Sequence, residues 1–537
     1  MQLRHLIYTA VGLLVISSVI GLWNSYAPEA AAIRFAFLSA SAVGFRWILR
    51  GGRRAQRTAS KGLACLGLVV SGFILLGLTA KFAAADLLGG VHRWLPLVES
   101  QLPAALVVLG MPFMLAEWRI RNAYGNLDRR NFWTISMVLA VGAVAFSGST
   151  ASHLAILLWA GLELTLSICE PLARPTRKSS GVVLAVGAIA PAAVAAAVLS
   201  LVPGPKGWLA AFVRDSGRLE VAEQAVNLLQ DFPVSGGGLG TIPGLYAHYI
   251  HGLPVLHIPH THNLYLNIAI ELGVGGLIAL LVIYAGALWF SVRAVIASVD
   301  RSRRYRFTAL ATFCGMALAL AIGVIDDPYY ATWGMPFLLV IPALALSPAF
   351  GRSDWGGRMA SEPIVPMWVL GVVLLPIIAL AAGIRAELAS RWYSNFAALE
   401  MARVELRGWP TGKWSEGSLA LELGSAEANF QRALQLDPEN RTSLHRLGLI
   451  AMERREYELA VQLLEQALEL DPGHTGVRKA FGYSLVWTGE YERAETLLFD
   501  ITEAQRELGI YQDWWARRGR LDLPQHSAAM MTLLSNH

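Results

Sequence analysis

The chain has 537 residues, of which 55% are hydrophobic and only 15% charged, with a formal net charge of +5 and a mean hydropathy of +0.46. So apolar a composition over this length excludes a soluble globular enzyme and puts the chain in a membrane. The positive charge gathers in arginine clusters between apolar runs, which gives a nucleic-acid surface no support.

From the N-terminus, apolar windows recur at the ~20 residues needed to cross a ~30 Å hydrocarbon core. They predict about eleven helices, at roughly 6–24, 29–49, 62–80, 103–119, 132–147, 151–169, 181–202, 263–290, 306–325, 330–349 and 363–386. The first window follows Arg4 and His5 and lacks a small-x-small cleavage site, so it reads as a helix that stays. Cys65, Cys169 and Cys314 fall within or at the end of such windows and read as small core residues, not a disulfide framework. Glu163 lies mid-span, where an ionisable group is either functional or paired.

Lys/Arg clusters mark one side of the membrane. They occur at Arg50–Lys61, Arg119–Arg130, Arg174–Lys178, Arg293–Arg306 and Arg352–Arg358, each an even number of predicted spans from the last. The N-terminus is therefore expected in the cytoplasm and the loop 203–262 on the outer face. An odd span count puts everything after Arg385 outside as well.

That loop opens with Pro203-Gly204-Pro205 and continues into an amphipathic stretch from Ser216-Gly217-Arg218 through Leu229, expected to lie along the membrane interface. Arg218 at its start suits a lipid phosphate, since a guanidinium binds two oxygens at once; a plain headgroup-contacting charge is the alternative. Gly236, Gly237, Gly238 and Gly240 permit tight turns that leave backbone N–H groups free to approach a phosphate or a sugar. No strand precedes them, so neither a Rossmann turn nor a P-loop is indicated.

Histidines follow at 248, 251, 257, 260 and 262. His-x-His spacing admits a metal reading. Asp and Glu are absent between Asp231 and Glu271, however, and no cysteine is near. A general base at the head of the next helix is the better reading of His262. Asn263 is placed to orient a ring or bind a sugar hydroxyl, and Glu271 lies about two turns deeper in the span.

After about residue 424 the pattern changes to charged amphipathic helices with an internal repeat. Ala433 and Ala467, Asp437-Pro438 and Asp471-Pro472, Gly448 and Gly482, Tyr457 and Tyr491, and Ala460 and Ala494 are each 34 residues apart. That period, with Ala-Leu-x-Leu-Asp-Pro closing each unit, is the tetratricopeptide signature. The expected organisation is a membrane domain over 1–386, a linker or flanking helix over 387–423, and an α-solenoid tail over 424–537, with added helices at Ala386–Leu423 and Tyr491–Gly519. The fold class is all-α, a polytopic helical bundle followed by the solenoid. The tail reads as a docking platform for a protein partner or polymer, or else as a spacer or dimerisation surface, and the membrane domain is expected to fold without it.

Three stretches converge on a family. Ser216-Gly217-Arg218, Asp231-Phe232-Pro233-x-x-Gly-Gly-Gly-Leu-Gly240 and His262-Asn263-Leu264-Tyr265-Leu266-x-x-x-x-Glu271-Leu272-Gly273-x-x-Gly276-Leu277 together resemble the O-antigen ligase and O-antigen polymerase superfamily. The resemblance implies a glycosyltransferase without metal or cofactor, working at the outer face of a bacterial inner membrane on an undecaprenyl-pyrophosphate-linked glycan donor. It implies Arg218 as the pyrophosphate binder and His262 as the base, for which His260 is the substitute; Asn263, His260, Gly238, Gly240 and Glu271 are expected around the substrate. The acceptor would be a growing glycan, a lipid A core or a protein hydroxyl. One departure stands out. Thr150 occupies the place of a second family arginine, leaving His153, Lys81, Arg93 or Lys206 to supply that contact. A transporter or membrane scaffold carrying the repeats is the competing class; it leaves the glycine and histidine loop unexplained.

Overall fold

The computed structural model describes residues 3–82, 101–147, 149–172, 218–250, 258, 260–298, 301–331, 333–350, 385–410, 422–520 and 522–535. The predicted span at 181–202, and that at 363–386 except for its last two residues, lie outside the described residues. Among the described residues all regular structure is helical. In chain order come α1 (Leu3–Asn24), α2 (Pro28–Arg50), α3 (Gly52–Phe82), α4 (Gln101–Ala123), α5 (Leu127–Ala145) and α6 (Thr150–Leu172). The loop helices α7 (Arg218–Asp231) and α8 (Ile242–Tyr249) precede α9 (Leu264–Ala297), α10 (Arg303–Ile325) and α11 (Val340–Phe350).

Six of these, α1 to α4, α9 and α10, are long and apolar enough to cross a membrane. The span expected over 330–349 takes another form. After α10 the chain turns at Asp326-Asp327-Pro328, where Asp327 O accepts from Tyr330 N at 2.8 Å and Ala331 N at 3.0 Å. A 3-10 turn at Met335–Phe337 then leads into the short α11. Pro328 and Pro336 lack the N–H groups a continuous helix would need there.

Small residues bring the bundle together. A Cβ on Gly110 of α4 would stand 2.8 Å from Leu63 O of α3, so these two backbones cross in near contact. α1 runs beside α9, and α10 packs on α4. Glu163 is paired, its Oε2 2.9 Å from Arg119 Nη2, with Cys314 Sγ 3.7 Å from Oε1. Cys314 is buried as expected, whereas Cys65 is exposed on α3.

The turns joining α2 to α3, α4 to α5 and α9 to α10 carry the arginines and lie at one end of the bundle. The end of α1 and the start of α2, the start of α9 and the 326–334 turn come together at the other, where Arg34 donates to Tyr330 O and Asn267 to Asp327.

The tail continues with α12 (Arg385–Glu405), α13 (Gly424–Leu436), α14 (Arg441–Glu453), α15 (Tyr457–Leu470), α16 (Thr475–Thr488), α17 (Tyr491–Leu498), α18 (Ala504–Arg517) and α19 (Asp522–Leu534). Successive helices pair as the 34-residue period requires. Gly448 and Gly482, one period apart, each admit a leucine of the following helix (Leu464 and Leu498) where a Cβ would collide. The tail packs on the loop of the membrane domain. One apolar core joins Leu228 of α7, Tyr246 of α8 and Ile270 of α9 to Ala398 of α12 and Phe430 of α13.

Candidate active site

The glycine loop has a structural task that its sequence did not reveal. α9 breaks at Gly273, whose φ of 70° and ψ of −177° interrupt the helix near its first third. The break would leave backbone groups without partners in apolar surroundings. The loop supplies them. Gly237 N donates to Ile270 O at 2.7 Å, Gly238 N to Glu271 O at 3.2 Å, and Val274 N reaches Pro233 O at 3.0 Å. Gly236 (φ 72°) and Gly273 face each other so closely that a Cβ on either would collide with the opposite backbone, at Glu271 O and Val234 O respectively. Leu239 N goes to Gly21 O at 2.9 Å and Gly240 N to Glu271 Oε1 at 3.0 Å. The N–H groups of residues 236–240 are thus all donated within the fold. The expected phosphate cradle at Gly238 and Gly240 gives way to a wedge that completes a broken helix.

Glu271 is the keystone of that wedge, not a group open to substrate. It is fully buried, and besides Gly240 N it accepts from Tyr330 Oη at 2.9 Å and pairs with Arg34 Nη2 at 3.3 Å. Arg34 also donates to Tyr330 O at 3.0 Å. Four separate stretches, α2, the wedge, α9 and the 326–334 turn, therefore meet on one carboxylate.

The histidine cluster sits at the head of α9. Asn263 is its N-cap, the side-chain oxygen accepting from Tyr265 N and Leu266 N at 3.0 Å each, while Nδ2 donates to Val324 O at 3.2 Å. Its expected role of binding a sugar or orienting a ring is replaced by capping. One turn on, Asn267 accepts from Thr261 N at 3.0 Å and Thr261 Oγ1 at 2.8 Å, and its amide donates to Asp327 Oδ2. This network holds the 260–262 segment, where His262 adopts a left-handed backbone (φ 54°) unusual for a side chain of its size.

Two His–Asp pairs result. His262 Nδ1 lies 3.4 Å from Asp326 Oδ1, and His260 Nδ1 lies 2.9 Å from Asp327 Oδ1. The rings meet edge to face with centroids 4.3 Å apart. The side chains of His262 and His260 are 27% and 26% exposed, against 1% and 4% for the carboxylates. Burial pushes the Asp326 carboxyl up, but the hydrogen bond of His262 and the Asp327 N–H outweigh it and hold the group below its ordinary value. With Nδ1–H on an ionised carboxylate, Nε2 of His262 is the ring nitrogen left to accept a proton.

The sequence reading missed both aspartates, Asn267 and Arg34. Two adjacent acids closing an apolar run were the available signal for the aspartates; Arg34, inside a predicted span, offered one as well. The carboxylates whose lack between 231 and 271 counted against a metal come instead from the end of α10. His260, His262 and Asp326 each bring a ligand atom within 4.8 Å of the others, as do Asp231, His445 and His474. In the second group Arg441 and Arg446 occupy both oxygens of Asp231 at 2.6 and 2.5 Å, an unfavourable setting for a cation.

The other candidates are distributed more widely. Arg218 opens α7, with its side chain outside the described residues. The apolar stripe of α7, expected on lipid headgroups, buries Ala225 and Leu228 against protein instead. His248 Nε2 pairs with Glu405 Oε2 at 3.0 Å, and His251 and His257 lie outside the described residues. Thr150 begins α6, and its side chain is likewise outside. His153 Nε2 lies 3.2 Å from Ala145 O; the Lys81 side chain, Arg93 and Lys206 are outside the described set.

Comparison with known proteins agrees with this architecture. Residues 104–281 match the family model of the O-antigen ligases, and residues 451–513 match a tetratricopeptide repeat. The first match runs from α4 through the wedge and His262 to beyond the break in α9; Asp326 and Asp327 lie past its end. No curated protein and no solved structure matches the chain. The chain is thus a membrane protein with an O-antigen-ligase-type segment and a tetratricopeptide tail.

Proposed function

We propose that this chain transfers a glycan from a polyprenyl-pyrophosphate carrier to an acceptor hydroxyl, at the bundle end that carries His262. The observation that carries this reading is the His262–Asp326 pair, a half-open imidazole backed by a buried carboxylate beside the broken α9. An acceptor oxygen attacks the anomeric carbon while His262 Nε2 takes its proton. The bond from the anomeric carbon to the pyrophosphate oxygen breaks, and its electrons leave with the lipid pyrophosphate. Arg218 at the start of α7 binds the pyrophosphate of the bound donor and keeps its charge balanced as it leaves. Asp326 holds the imidazole in its reactive tautomer and stabilises the imidazolium, as an orienting carboxylate does in other His-based sites.

The arginine-rich turns at the opposite end support a cytoplasmic face there, and on this reading the dyads and the tail face the periplasm. The acceptor is a hydroxyl of a growing glycan, a lipid A core or a protein, and no metal takes part.

The decisive experiment uses purified protein in detergent with a lipid-pyrophosphate-linked oligosaccharide. Transfer should fall ~10²–10⁴-fold in His262→Ala and persist in EDTA. Wild-type turnover by His262→Ala removes the base assignment. EDTA inhibition reversed by Zn²⁺ assigns His260, His262 and Asp326 to a metal instead. Topology reporters fused after residue 405 should read as periplasmic; a cytoplasmic reading overturns the orientation.

A further inference from the structure

The tail was expected to receive a separate partner, yet its first helices already hold part of the same chain. α12, α14 and α16, the leading helices of successive pairs, all contact the loop that carries α7 and the wedge. Asp231, the last residue of α7, is fully buried between Arg441 Nη1 (2.6 Å), Arg446 Nη2 (2.5 Å) and Thr442 Oγ1 (2.8 Å) of α14. The Arg446 guanidinium lies over the Tyr249 ring at 3.2 Å. Gln224 of α7 donates to Gly473 O and accepts from Thr475 N, both at 3.3 Å, at the start of α16. Gly476 meets Tyr249 O so closely that any side chain there would collide. On the far side of the loop, Asn395 of α12 accepts from Val234 N at 3.1 Å and donates to Ser235 Oγ at 2.8 Å, which seizes the wedge itself.

A buried carboxylate held by two guanidiniums gains little net stability, because desolvation offsets the attraction. Such a pair does define one register strongly, since any slip leaves charges buried and unpaired.

We infer that the tetratricopeptide tail is an intramolecular clamp that positions the loop, with Arg441 and Arg446 as positioning residues acting through Asp231. The segment it holds begins at Arg218 and ends in the wedge. That wedge closes the short half of α9, residues 264–272, whose head carries the His262 pair. Loosening the clamp frees α7 and moves Arg218 relative to His262, so donor binding suffers before the chemical step does. The consequence for donor binding rests on the proposed function; the clamp itself does not.

The test uses full-length protein with Asp231→Asn and Arg446→Met, and Arg493→Ala as a control in an exposed pair on the far part of the tail. Hydrogen exchange should show residues 218–231 losing protection by at least about tenfold in the first two variants only, with α1 to α4 unchanged. In the transfer assay, KM for the lipid-linked donor should rise ~10–100-fold while kcat at saturating donor stays within about threefold. Should Asp231→Asn fail to accumulate, Gln224→Ala applies a milder lesion to the same interface, at the start of α16. Undiminished protection overturns the clamp. Lost protection with unchanged donor KM, or kcat falling in step with the folded fraction, overturns the positioning role. A wild-type protein that transfers no glycan overturns the proposed function, and the exchange measurement still judges the clamp.

Discussion

Replacing Asp326 by Asn separates charge from shape at the centre of the site. Asp326 Oδ1 faces two donors, His262 Nδ1 at 3.4 Å and Asp327 N at 3.0 Å. Oδ2 is buried without a partner among the described residues. A carboxamide therefore keeps its oxygen at the Oδ1 position and turns its NH₂ toward the Oδ2 position. The His262 tautomer survives, and only the negative charge is lost. Opposite unit charges 3.4 Å apart interact by about 5 kcal/mol at an effective dielectric of ~20 and by about 1 kcal/mol in bulk water. A ring just over a quarter exposed lies between these limits, so ~2–3 kcal/mol of imidazolium stabilisation should vanish in the transition state. That is a loss of roughly 30- to 150-fold in kcat, with little change in donor KM. Asp326→Ala, which also releases the ring, should cost more. Single-turnover transfer from a radiolabelled lipid-linked donor measures both. An Asn variant within about twofold of wild type would show that Asp326 does no electrostatic work on His262.

Acid should loosen the junction between loop and tail. Burial and the Arg441 guanidinium hold His474 down to about 3, and burial with His474 and Arg446 nearby holds His445 well below the ordinary imidazole value. Folded values below the unfolded one mean stability that is complete above ~6.5 and lost as pH falls from there toward ~3. Exchange protection of residues 218–231 should be constant from pH 8 to 7 and decline below ~6.5; a flat profile down to pH 4 contradicts this. Gly273→Ala forces a left-handed backbone and a collision with Val234 O onto an alanine, at a cost of about 3 kcal/mol or more. Thermal scanning in detergent should show a clear loss of Tm, and an unchanged midpoint would deny the wedge. Glu271→Ala leaves Arg34 without its buried partner and should destabilise by ~3–5 kcal/mol. A catalytic rather than structural Glu271 would instead give full stability with transfer abolished.

Features that depend on short range were legible in the sequence. Apolar runs near 20 residues announced a helical membrane protein, because a bilayer admits only segments that satisfy their own backbone. The 34-residue period announced paired helices, since small residues and a closing Asp-Pro must recur wherever one helix meets the next. The start of the span near residue 263 was legible as well, and His262 stands at the head of α9, beside a carboxylate.

What those residues touch was decided only by tertiary structure. Asp326 is 64 positions from His262, and Arg446 is 215 from Asp231. No local pattern carries such pairings; they arise from which bundle ends and repeat faces are brought together. The glycines read as a phosphate cradle because glycine permits any close backbone approach. Which backbone approaches, here the broken α9 and not a ligand, depends on a partner over 30 residues away. Glu271 looked functional because an ionisable group lies deep in a span, and its buried partners Arg34 and Tyr330 are far from it in sequence. The tail looked separable because its charged helices contrast with the apolar spans. Burial of Leu228, Tyr246, Ala398 and Phe430 in one core joins it to the loop, and that union is a property of the folded chain alone.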